Sequence, residues 1–169
     1  YISPDYYIVN PPNHKRDYEA VEFTLKKRFA DGWQMNFSYT YADSTGLIGN
    51  TFYETFGWST DFYKDPNAHV NAEGIMPHNR KHQVKLQAAI KGPWGINLSG
   101  NFQYLSGYPH DRWVSSYYLY PDLATDVSVR AEPRGNYRLP DYVQLDLRLE
   151  KSFKMGKNFR LALFAEVFN

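Results

Sequence analysis

The sequence predicts an all-β fold: a fragment of an antiparallel transmembrane β-barrel, about six strands in three hairpins with short periplasmic turns and long extracellular loops. Three observations carry this expectation. Apolar and polar residues alternate over stretches of about nine to thirteen residues, which places them on opposite faces of a strand. The turns inside hairpins take about three to five residues, whereas 42–79 and 105–140 each take more than thirty. Aromatic residues gather at both ends of the alternating stretches.

The first hairpin runs from Ala20 to Tyr41. Val21, Phe23, Leu25 and Phe29 share one face, and Glu22, Thr24, Lys26 and Arg28 the other. The turn Ala30-Asp31-Gly32 follows, with Gly32 able to take the positive φ such turns need. Trp33, Met35, Phe37, Tyr39 and Tyr41 then alternate with Gln34, Asn36, Ser38 and Thr40. In the second hairpin His82, Val84, Leu86, Ala88 and Ile90 alternate with Gln83, Lys85, Gln87 and Ala89. Past the turn at 91–95, Ile96, Leu98, Phe102 and Tyr104 alternate with Asn97, Ser99, Asn101 and Gln103. In the third, Val143, Leu145, Leu147, Leu149 and Phe153 oppose Gln144, Asp146, Arg148, Glu150 and Ser152. A turn at 154–158 leads to Phe159, Leu161, Leu163, Ala165 and Val167, with Arg160, Phe164 and Glu166 on the other side.

Alternation alone does not say whether the apolar face meets a core or lipid. A soluble ligand-binding β-barrel would turn it inward, and a membrane barrel outward. The unequal loops, the strand length near the roughly 9–11 residues of a tilted membrane strand, and the two aromatic groups favour lipid. Phe29, Trp33, Trp94, Phe153 and Phe159 flank the short turns, and Tyr39, Tyr41, Phe102 and Tyr104 flank the long loops, as two membrane interfaces require. Six strands leave two open edges, which hydrocarbon does not tolerate. Residues 1–169 are therefore expected to be part of a single outer-membrane β-barrel domain, incomplete at both ends. Starting at Tyr1 without Met or a leader, and stopping inside an apparent strand at Val167-Phe168-Asn169, the sequence fits such a piece.

Composition narrows the classes further. Nineteen basic against eighteen acidic residues argue against nucleic acid as a partner. No apolar run approaches the roughly 18 residues of a membrane helix. The mean hydropathy of −0.61 suits a barrel, because only alternate strand residues face lipid. Without cysteine there are no disulfides or thiolate metal sites.

Candidate chemistry is sparse. The histidines at 14, 69, 78, 82 and 110 raise a metal site, but the four-residue spacing of His78 and His82 joins ligands on a helix, not a strand. No cofactor or catalytic residue is expected, and no nucleophile elbow, phosphate loop or zinc-protease pattern occurs. The glycosylation triplets at Asn36 and Asn97 fall mid-strand and read as chance. Aromatics concentrate in the long loops, in "FYETFGWSTDFYKD" and "DRWVSSYYLY", and rings with polar tips suit sugars, peptides or planar chelates. The candidate ligand-binding residues are Tyr53, Trp58, Phe62, Tyr63, Trp113, Tyr117 and Tyr118, against the alternative of loop self-packing. Asp43, Glu54, Asp61, Asp65 and Glu73 against Lys64 give loop 42–79 a formal charge of −4, which disfavours anionic ligands. On the polar strand face, Arg148 is expected diagonal to Glu166 and Glu150 diagonal to Arg160. An outer-membrane barrel enzyme of protease or lipase type is the rival reading. It would need a His converging with a carboxylate or Ser at the loop-side rim.

Three stretches, "RDYEAVEFTLKKRFADGWQMNFSYTYADSTG", "PHNRKHQVKLQAAIKGPWGINLSGNFQYLSGYP" and "RLPDYVQLDLRLEKSFKMGKNFRLALFAEVFN", resemble in their order the barrel of TonB-dependent outer-membrane receptors, especially the Oar-like group. The resemblance implies a large barrel of roughly 22 strands with an N-terminal plug. It implies a cell outer membrane location, uptake of a nutrient ligand (siderophore, carbohydrate or peptide), and energy from TonB acting through a plug that lies outside this sequence. Outer-membrane lipid would be the remaining partner.

Overall fold

The computed structural model describes residues 15–47, 70–115, 128–156 and 158–169. Among the described residues every long element is a β-strand, and these strands pair antiparallel. The six long strands are β1 (Arg16–Ala30), β2 (Trp33–Gly46), β4 (His82–Lys91), β5 (Ile96–Leu105), β10 (Tyr142–Met155) and β11 (Phe159–Val167). They form one sheet in the order β1-β2-β4-β5-β10-β11, so each strand lies beside its predecessor among the six. Between them come short pieces: β3 (Gly74–Ile75), β6 (Pro109–His110), β7 (Trp113–Ser115), β8 (Ser128–Arg130) and β9 (Tyr137–Arg138). The three hairpins and the two long connections are where the alternation placed them. No helix among the described residues is long and apolar enough to cross a membrane, which says nothing about strands.

By its contacts the chain divides into two compact units: a strand wall of 19–43, 80–108 and 139–169, and a loop unit of 1–18, 44–79 and 109–138.

In the strand wall, register sorts side chains into transverse rows. Phe37, Leu86, Phe102 and Leu145 pair in one row, and Trp33, Ile90, Leu98, Leu149 and Ala165 in another. Ser38, Lys85, Gln103 and Gln144 form a row on the opposite face, and so do Asn36, Gln87, Asn101 and Asp146. On β10 burial is inverted relative to a water-soluble sheet: Val143 and Leu149 are 53% and 51% exposed, while Gln144, Asp146, Arg148 and Glu150 are half-buried. Such a continuous apolar face is larger than the scattered patches soluble monomers show.

The first turn departs from the expected three residues. Asp31 and Gly32 both take left-handed φ, 54° and 83°, and make a two-residue loop between Ala30 and Trp33. Phe29 then borders the polar side beside Gln34 and Arg148 rather than the apolar face. Phe23 keeps to that face, its ring edge-on to Phe37 at 6.2 Å. The alternation therefore breaks between Phe23 and Phe29, because a one-residue change of register moves a side chain to the other face.

The loop unit has a different interior. Ala72 and Met76 are buried there, together with Ser44, Asn79, Arg130 and Arg134. Gly74 bridges to Arg134 so closely that a Cβ would lie 2.4 Å from the Arg134 carbonyl oxygen, and its φ of +150° also favours glycine. Ile75 N–H donates to the same carbonyl at 3.1 Å, and Arg134 N–H donates to Asn71 O at 3.0 Å. Two ribbons, β6 with β9 and β7 with β8, complete it. The described parts of the second long connection are therefore built, not structureless.

Candidate functional site

The polar face of the strand wall holds an open trough of about 590 Å³ reaching from β1 to β11. Lys26 and Arg28 line it from β1, Asn36 and Gln87 from the middle strands, and Asp146 and Glu166 from β10 and β11. Hydrogen bonds hold these groups along and across strands. Gln144 Nε2 donates to Asp146 Oδ2 at 2.8 Å, and Asn101 Nδ2 to the same oxygen at 3.3 Å. Arg148 donates from Nη1 to Glu166 at 2.7 Å and from Nη2 to Glu150 at 3.1 Å.

The expected diagonals need correcting. Arg148 lies directly opposite Glu166, and Arg160 lies opposite Lys154, its Nη2 bonded to Ser152 Oγ at 2.9 Å. Glu150 faces Phe164 and takes Arg148 from its own strand. The turn sets the register two residues from the diagonal arrangement, which keeps the same side chains on the same face. All these groups stay partly solvated, so the pairs shape the wall more than they stabilise it.

At the long-loop end, His82 is a structural group. Its Nδ1 meets Tyr39 Oη at 3.0 Å, and its ring lies against Tyr39 and Tyr41. His82 and Ser106 close the strand end reciprocally: His82 N–H donates to Ser106 Oγ at 3.1 Å, and Ser106 N–H to His82 O at 2.9 Å. Among the described residues no three His, Asp or Glu side chains gather closely enough for a metal ion. His14 and His69 lie outside the described residues.

Of the candidate ligand residues, Trp113 falls on β7 and is 50% exposed. Tyr53, Trp58, Phe62, Tyr63, Tyr117 and Tyr118 lie outside the described residues. Trp113 is backed by the Arg130 guanidinium, 4.3 Å from its ring centroid. The Arg130 side chain is only 4% exposed, and its Nε donates to Asp111 Oδ2 at 2.8 Å. Asp111 Oδ1 accepts Gly135 N–H at 2.7 Å, and the Arg130 carbonyl accepts Asn71 Nδ2 at 2.9 Å. A second stacked cation sits nearby in the chain: Arg112 lies over Tyr137, and both reach Glu132. The hydrogen bond to Glu132 raises the Arg112 pKa above its already high ordinary value, so it stays charged. An aromatic ring with its back fixed on a cation presents its free face at little entropic cost.

Sequence reasoning missed Asp111 and Arg130, whose partners join β6, β7 and β8 across a long connection. It also passed over Lys151, which falls on the apolar face between Leu149 and Phe153. Its position in the alternation is the signal that could have found it.

No protein-family model matches the chain, and no solved structure matches it. One curated relative does: the TonB-dependent transporter Oar of Myxococcus xanthus, 25% identical over 186 aligned residues that take in 97% of this chain. The chain spans about 17% of that relative's length and is similar to a transport-related barrel segment.

Proposed function

We propose that the chain is a stretch of the barrel wall of a TonB-dependent outer-membrane transporter, all of 1–169 belonging to one barrel domain completed by further strands. The observation that carries this is the inversion on β10: its apolar side chains are exposed, and the charged ones between them are half-buried. A soluble barrel needs the opposite sorting. The outer strands β1 and β11 are not paired with each other, and in hydrocarbon each requires a neighbour.

On this reading the short turns face the periplasm, the long connections face outside, and the trough faces the lumen. The protein imports a nutrient with energy from TonB and has no catalytic role. Trp113, with the loop aromatics Tyr53, Trp58, Phe62, Tyr63, Tyr117 and Tyr118, contacts the ligand, a siderophore, carbohydrate or peptide.

A cysteine-free version of the full-length receptor tests this. An impermeant thiol reagent applied to intact cells should modify a cysteine at Ser116 and not one at Asp31. A fluorescent probe at Phe37 should be quenched by a bilayer-restricted label, and one at Ser38 should not. Equal or absent quenching at both positions overturns the proposal.

A further inference from the structure

Lys151 stands on the wrong face. In the rows across the sheet it pairs with Ile96 on one side and Leu163 on the other, and its same-face neighbours along β10 are Leu149 and Phe153. Among the described residues no carboxylate lies within ion-pair distance of it. Its Nζ donates to the Trp94 carbonyl at 2.5 Å and lies 5.5 Å from the Phe153 ring centroid. An ammonium has three donors, so two remain beyond the bond to Trp94.

Trp94 supplies the second observation. It occupies φ 55°, ψ 25° in the tight turn Pro93–Gly95, a left-handed conformation rare for a bulky side chain. The residue is 81% exposed, and among the described residues its ring meets no cation or other ring. Lys151 holds the carbonyl of this strained residue, so cation and indole are presented together at the short-turn rim.

The third observation lies further up the same face. Ala88, Gly100 and Leu147 share a row, and the small residues leave an apolar hollow of about 200 Å³ walled by Leu86, Ile90, Phe102 and Leu145. Leu147 closes one side so tightly that a Cβ on Gly100 would lie 2.9 Å from it. Leu147 is four residues from Lys151, about 14 Å along a strand. That is the depth of one leaflet of a hydrocarbon layer roughly 30 Å thick.

We propose that Lys151, Trp94 and the Gly100 hollow form a binding site for one anionic phospholipid of the inner leaflet. The headgroup phosphate takes the free donors of Lys151, the Trp94 indole lies at the glycerol level, and an acyl chain fills the hollow. The charge complement decides for an anionic lipid: Lys151 is a cation in an apolar row with no counter-charge among the described residues. The site rests on the membrane reading above.

Native mass spectrometry of the full-length receptor, with phosphatidylglycerol or phosphatidylethanolamine added to the detergent, tests it. The wild type should retain phosphatidylglycerol about fivefold better, the effect of one lysine at an anionic surface. Lys151→Gln should abolish that preference, and Lys151→Arg should keep it. Lys154→Gln removes a neighbouring charge from the polar face and should leave the preference intact. Equal retention of both lipids by the wild type, or equal losses in Lys151→Gln and Lys154→Gln, overturns the site. If the probe at Phe37 is quenched by bilayer label while the preference is absent, the lipid site alone fails. If neither is seen, the membrane reading falls and takes the site with it.

Discussion

The strand wall and the loop unit solve the same problem, ordering a chain, by opposite means. In the wall, Leu145, Leu147 and Leu149 stay exposed and the charged residues between them are half-buried, so side chains are sorted by the two media the faces meet. In the loop unit two arginines are buried and the apolar interior is small, Ala72 and Met76 among the described residues. There the chain is held by hydrogen bonds that converge on Asp111 and on the Arg134 carbonyl. A wall of this kind tolerates changes that respect its faces. A charge-assisted network tolerates few, because each removed partner leaves a desolvated group behind.

The largest effect should therefore come from the loop unit. Asp111→Ala would leave the Arg130 guanidinium buried without its counter-ion, at a cost of about 3–5 kcal/mol. Hydrogen exchange should rise sharply across 128–135 while amides of β4 and β5 stay protected. Uniform loss of protection would show that the two units are not energetically separable.

Next comes a pair of neighbours on β4. Leu86 lies between Phe37 and Phe102, and Gln87 lies between Asn36 and Asn101. In the full-length receptor Leu86→Arg should cost about 2–4 kcal/mol in folding into lipid vesicles, whereas Gln87→Arg, facing water and Asp146, should be close to neutral. Similar losses from both would remove the contrast between the faces.

The smallest effect belongs to the wall's ion pairs. Glu166→Gln removes the charge from the 2.7 Å pair with Arg148, whose side chain is partly exposed and still has Glu150. The expected loss is about 0.2–1 kcal/mol in urea titration of the folded receptor. A larger loss would make this face a cooperative network like that of the loop unit.

How far the chain could be read in advance follows the same division. The six strands and their pairing order were legible because a period of two is local and each turn joins neighbours. The errors arose where one or two residues of register mattered. Phe29 left the apolar face once the Asp31-Gly32 turn closed in two residues, and Glu150 took Arg148 rather than Arg160. The loop unit was opaque because its contacts are remote in sequence: Asn71 reaches Arg130, and Gly74 reaches Arg134.

The sequence by itself determined that this is an antiparallel sheet with one apolar and one polar face, because alternation is written residue by residue in the strand's geometry. Only the tertiary structure decided that on β10 the apolar face is the more open one, since that depends on how adjacent rows crowd one another across strands. It also decided that Trp113 rests on a buried Arg130, and that Lys151 clasps the carbonyl of a strained Trp94. Both contacts join segments whose separation along the chain carries no periodic signal, and register and packing alone bring them within reach.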